Sequence, residues 1–132
     1  MIEINISANN ALPYVTLKQL NIKPLIDTGS SKYILKPTIA EKYFPQCIYN
    51  NKNTIKTALG SQQTLFQATL PLFKEYNIHN EIDFILFDFH DFYDGIIGLS
   101  DLRKLNLNID LINNVLVDHC AVFRYAIISQ MM

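Results

Sequence analysis

The sequence predicts an all-β, barrel-like fold, and three observations carry that expectation. Short runs rich in Ile, Val, Thr, Tyr and Phe recur at close spacing along the chain. Helical periodicity is confined to two short stretches. No linker, low-complexity tract or internal repeat separates the runs, so residues 1–132 read as a single domain. A length of 132 residues with 49% hydrophobic content is enough to build one packed core.

Ile2, Ile4 and Ile6 alternate with polar residues, the period-two pattern of a half-buried strand. Residues 14–17 and 22–26 form two further β-prone runs, and the second leads straight into the turn Asp27-Thr28-Gly29-Ser30-Ser31. Tyr33-Ile34-Leu35 resumes an extended pattern. Pro37-Thr38 can open a short helix through Ala40, Glu41 and Tyr43, with Thr38 as its cap. Residues 54–59 and 64–72 flank Gly60-Ser61-Gln62-Gln63, which predicts a hairpin with Gly60 at the bend. Two apolar strands follow, over residues 82–89 and 93–97, the latter closed by Gly98. Leu99, Leu102 and Leu105 at helical spacing mark the best helix, and residues 107–111, 115–117 and 121–128 make three late strands around an Asn113-Asn114 turn.

A formal net charge of −1, from 11 basic and 12 acidic residues spread along the chain, argues against a nucleic-acid stripe or an anionic-membrane patch. Cys47 and Cys120 belong to no CxxC pair and read as free thiols of a reducing compartment. The first residues lack a signal-peptide pattern, and no apolar run is long enough to cross a bilayer, so the expectation is a soluble protein that is not secreted. His79, His90 and His119 are too scattered for a zinc site, and no nucleophile-elbow pattern surrounds Ser30 or Ser31. The aromatic and acidic run from Phe87 to Asp94 reads as a strand leading into a solvated turn.

Chemistry concentrates in Pro24-Leu25-Ile26-Asp27-Thr28-Gly29-Ser30-Ser31, where an acidic residue leaves an apolar strand directly into a Thr-Gly turn. Burying a carboxylate costs several kcal/mol unless it is paired or hydrogen-bonded, so a carboxylate so placed calls for a role. For Asp-Thr-Gly alone, an Asp that merely caps a turn is an equally good reading. A second segment, Tyr93-Asp94-Gly95-Ile96-Ile97-Gly98-Leu99, sets two β-branched residues before a glycine and a helix after it.

Together the two segments resemble the retropepsin family of aspartic proteases, the proteases of retroviruses, and more closely those of gypsy-type LTR retrotransposons. In that family an apolar-apolar-Gly strand threads beside the Asp-Thr-Gly loop and a helix follows it. Here Ile96, Ile97 and Gly98 match that strand, and the helix after Gly98 matches the next element. The resemblance continues through Leu102-Arg103-Lys104-Leu105-Asn106-Leu107-Asn108-Ile109-Asp110-Leu111 and spans roughly residues 14–117 in order and spacing. Ser100 stands where many relatives carry Asp, at a helix-capping position. The bend at Gly60 is poorer in glycine than retroviral flaps, and the chain after Leu111 runs longer than in compact retroviral enzymes.

The resemblance implies a closed, barrel-like retropepsin (acid protease) fold with a short helix in the C-terminal half, active as an obligate homodimer. Asp27 of each copy would supply one carboxylate of a pair about 3 Å apart, which shares a proton because both members cannot ionise at once. Thr28 would bond the partner's loop, Gly29 would admit backbone and water where a Cβ would intrude, and Ser30 would support the carboxylate from outside. Leu59, Gly60 and Ser61 would form the tip of a substrate-covering flap. The implied substrate is an extended peptide in a retrotransposon polyprotein, cut in the cytoplasm or within virus-like particles, with no cofactor and no metal. The alternative is a catalytically silent or host-domesticated retropepsin-like binding or scaffold module. Such a module would be expected to have replaced Asp27 or Gly29, and both are present.

Overall fold

The computed structural model describes residues 2–118 apart from residues 10–11, 31–32, 58–59 and 90–91. Ten strands form one sheet: β1 (Glu3–Asn9), β2 (Leu12–Val15), β3 (Pro24–Ile26), β4 (Ile34–Leu35), β5 (Ile48–Thr57), β6 (Gly60–Leu70), β7 (Ile82–Leu86), β8 (Gly95–Ile97), β9 (Leu107–Asp110) and β10 (Val115–Asp118). Among the described residues two short α-helices, α1 (Pro37–Tyr43) and α2 (Leu99–Lys104), and two 3-10 turns (Pro45–Cys47 and Lys74–Tyr76) complete the all-β architecture. The strands lie in the order β5-β6-β7-β4-β8-β3-β2-β1-β10-β9.

That order corrects the expectation of a closed barrel. Among the described residues β5 pairs only with β6 and β9 only with β10, so the sheet has two free ends. The β5–β6 hairpin is the reason at one end. Only residues 67–70 of β6 pair with β7, while the first half of β6 pairs with β5 alone and is exposed except at Thr64. The strand expected over residues 121–128 lies outside the described residues.

Side-chain alternation divides the central strands between two apolar clusters. Leu35, Phe84, Leu86 and Ile97 enter the main core with Ile4, Val15, Leu17, Phe73, Leu102 and Leu116. Their neighbours Ile34, Ile85 and Ile96 point the other way and form a second cluster with Ile55, Phe87 and Phe89. Ile55 belongs to β5, so this smaller cluster anchors the long hairpin on the centre of the sheet.

The hairpin bend falls earlier than the sequence suggests. Thr57 pairs with Gly60, so Gly60 already belongs to β6, and Ser61, Gln62 and Gln63 are exposed positions of that strand. Polar side chains there mark a solvated strand and not a turn. Gly60 adopts φ +118°, a conformation that favours glycine. Among the described residues the non-glycine positions with positive φ, Asn21, Asn77, Asn106 and Asn114, are all asparagines, the residue that tolerates left-handed turns best. In α1 the N-cap is Lys36, with Pro37 at the first helical position, so Thr38 sits inside the first turn and is not the cap.

Phe84 is fully buried at the middle of β7. Phe84→Ala should lower unfolding free energy by about 3–5 kcal/mol in urea titration; a loss under about 1 kcal/mol would contradict its central place in the core.

Candidate active site

The two strands on either side of the Asp27 loop do not pair with each other. β8 lies between them, parallel to β3 (Leu25 opposite Ile96, Ile26 opposite Ile97) and antiparallel to β4 (Ile34 opposite Ile96, Leu35 opposite Gly95). Beyond β3 the ladder continues by one bond, from the Asp27 N–H to the Ile97 carbonyl at 2.9 Å. The turn then closes on itself. The Gly29 N–H donates to Asp27 Oδ1 at 3.1 Å, and the Ser30 N–H donates to the Asp27 carbonyl at 3.1 Å. A carboxylate is thereby held at the surface in a loop fixed by backbone bonds.

Gly98 explains why the loop can sit so close to β8. A Cβ there would lie 2.7 Å from the Ser30 carbonyl oxygen and 2.8 Å from Tyr33 Cε1. Gly95 at the other end of β8 is equally confined, 2.8 Å from the Ile34 carbonyl oxygen. Sequence reasoning singled out Gly98 and missed Gly95, although both stand at the ends of the same short strand.

Asp27 follows a buried strand but is itself exposed, so no burial penalty falls on it in the single chain. A Cβ at Gly29 would meet nothing nearer than Asp27 Oδ1 at 3.5 Å, an ordinary contact, so the chain by itself sets no steric demand there. Ser30 contributes through its backbone N–H and through its carbonyl against Gly98. Thr28 is exposed. Leu59, like Ser31, lies outside the described residues, while Gly60 and Ser61 pair with Thr57 and Lys56 at the distal end of the hairpin. Ile55 of that hairpin packs in one cluster with Ile34 of β4 and Ile96 of β8.

Ser100 is an exposed residue within α2 and not its cap; Gly98 takes the cap position, and Asp101 Oδ2 accepts its N–H at 3.3 Å. Asp101 is completely buried, and its Oδ1 has no hydrogen-bond partner. Burial pushes its pKa up to about 7, against the opposing pull of the Gly98 N–H and Lys104 and with reinforcement from Asp83. Nothing in the sequence distinguishes this Asp from an ordinary first-turn acid. In the run from Phe87 to Asp94, which follows β7 as expected, Asp88 and Phe92 are exposed, but Tyr93 is buried and Asp94 half-buried.

A surface depression of about 390 Å³ lies at the hairpin's β-bulge, lined by Asn50, Asn51, Lys52, Leu65 and Phe66, and includes no residue of the Asp27 loop. Among the described residues no group of three or more His, Cys, Asp or Glu could hold a metal ion, and no helix is long and apolar enough to cross a membrane. Cys47 is a free thiol, and Cys120 lies outside the described residues. No protein-family model, curated protein or solved structure matches the chain.

Gly98→Ala should lower the melting temperature by several degrees, whereas Gly29→Ala should leave it nearly unchanged; equal melts would remove the close approach argued for Gly98. Asp101 gives a pH-dependent prediction. Its folded pKa lies above the ordinary 3.8, so the fold is favoured below that value and loses stability as pH rises towards about 7. The whole displacement is worth at most about 4 kcal/mol. Asp101→Asn removes the titration, so its melting temperature relative to wild type should climb between about pH 4 and pH 8. A difference that does not vary with pH would refute the assignment.

Proposed function

We propose that this chain is one half of a homodimeric aspartic endopeptidase of retropepsin type, with Asp27 of each copy contributing one carboxylate. The observation that carries this reading is the insertion of β8 between the strands flanking Asp27-Thr28-Gly29, which holds an exposed carboxylate through the Ile97 carbonyl and the Gly29 N–H. Peptide hydrolysis without a metal or nucleophilic side chain needs a base to activate water and an acid to polarise the carbonyl. A pair of carboxylates sharing one proton does both, and titrates as a unit. The chain carries a single Asp-Thr-Gly, so the second member must come from another copy across a twofold axis.

An extended peptide fits the rest of the arrangement. The β5–β6 hairpin is long enough to cover a bound strand, and its Ile55 meets the apolar residues that flank the loop. Maturation of a retrotransposon polyprotein is the specific role favoured by the sequence pattern of residues 14–117.

The test is cleavage of a peptide library at mildly acidic pH, with and without pepstatin. Asp27→Asn should reduce cleavage by at least about a hundredfold with the circular dichroism spectrum unchanged, because the amide cannot share the proton. Activity should follow a bell in pH, and excess Asp27→Asn chains mixed with wild type should suppress it. Wild-type rates in the purified variant would end the assignment of Asp27, and a wild-type protein that cuts nothing would leave the binding-module alternative.

A further inference from the structure

Strand β8 is only three residues long, and its neighbours β3 and β4 have three and two. So short a ladder specifies its own register weakly, yet a slip of one residue would turn Ile97 out of the core and withdraw its carbonyl from Asp27. Gly98 limits movement at one end of β8. At the other end stands Asp94, which fastens both flanking strands. Towards β3, Asp94 Oδ2 accepts the Lys23 N–H at 2.7 Å and the Asp94 N–H donates to the Lys23 carbonyl at 3.0 Å. Towards β4, the Lys36 N–H donates to the Asp94 carbonyl at 3.0 Å, and Lys36 Nζ lies 3.9 Å from Oδ1.

The two residues before it are anchored as well. Phe92 packs edge-on against Tyr14 at 5.3 Å with Lys23 Nζ over its ring, and the Tyr93 hydroxyl donates to the Asn9 carbonyl at 3.2 Å. The segment leading into β8 is thus tied to β1, β2, β3 and β4 in turn. Of these ties, only the one made by Asp94 grips both sides of the loop that carries Asp27.

We propose that Asp94 is a positioning residue: by clamping Lys23 and Lys36 it fixes how far β8 is inserted, and so where Ile97 holds Asp27. Its effect on turnover rests on the aspartic protease reading; its effect on the loop does not. The short bond from the Lys23 amide to a carboxylate is the stronger half of the clamp, since the Lys36 pair is long and partly solvated. An amide can still accept the Lys23 N–H, which separates the clamp from the charge.

The experiment compares wild type, Asp94→Ala and Asp94→Asn by hydrogen exchange at the Asp27 amide and by peptide turnover. Asp94→Ala should speed exchange at Asp27 about tenfold or more while β1 and β10 stay protected. It should lower kcat roughly ten- to a hundredfold with KM within about twofold, the signature of a displaced reacting group. Asp94→Asn should stay within about threefold of wild type in both. Unchanged exchange in Asp94→Ala, or equal damage from the two substitutions, would overturn the clamp. Should the alanine variant not fold, a tenfold rise at Asp27 in Asp94→Asn would overturn it too. A wild-type protein that cuts nothing would instead defeat the protease reading, and the exchange measurement would still decide the clamp.

Discussion

The parallel pairing of β3 with β8 constrains everything around the Asp27 loop. A parallel pair cannot be closed by a tight turn, so a long connection must run between Ile26 and Gly95. That connection supplies β4, α1, the long hairpin and β7, and β8 then enters between β3 and β4 from the other side. Such an insertion requires backbones to approach more closely than side chains allow. Glycine stands at both points of closest approach, Gly95 against the Ile34 carbonyl and Gly98 against Ser30 and Tyr33.

Because side chains alternate along a strand, β4, β7 and β8 face two ways at once. One face, through Leu35, Phe84, Leu86 and Ile97, is sealed by the main core and gives the loop a rigid floor. The other, through Ile34, Ile85 and Ile96, holds a smaller cluster whose outer member, Ile55, comes from the projecting hairpin. The loop is therefore supported by a well-packed layer from below. The hairpin is joined to the sheet at its base, where residues 67–70 of β6 pair with β7, and its distal half pairs only within itself.

Much of this was legible in sequence where local chemistry and tertiary structure agree. Alternating isoleucines gave β1, the leucine spacing gave α2, and Asp27-Thr28-Gly29 with Ile96-Ile97-Gly98 named two segments that the fold brings together. What failed depended on partners distant in sequence. Ser61 to Gln63 have turn-like composition, but they pair with β5 as solvated strand residues. Thr38 resembles a cap until Pro37 takes the first helical position and moves the boundary back to Lys36. Barrel closure was inferred from strand number, and strand number does not say whether the outer strands meet. The clamp at Asp94 was invisible because its partners, Lys23 and Lys36, lie 71 and 58 residues away, counted from the residue numbers.

Three aspartates surround the crossing, and their environments separate what each can do. Asp101 lies beneath Gly98 with no exposure and one oxygen unpartnered, so it cannot meet a substrate, and burial drives it towards the neutral form. Asp94 is half-buried and committed to Lys23 and Lys36, so its oxygens are engaged in holding the strands. Asp27 alone combines exposure with a fixed backbone, its N–H on Ile97 and its Oδ1 on the Gly29 amide. A reacting group has to be accessible and positioned together, and among these three only Asp27 is both. On the protease reading proposed above, a lone surface carboxylate cannot act as base and acid in one step, and a second copy of the loop would have to supply the other carboxylate.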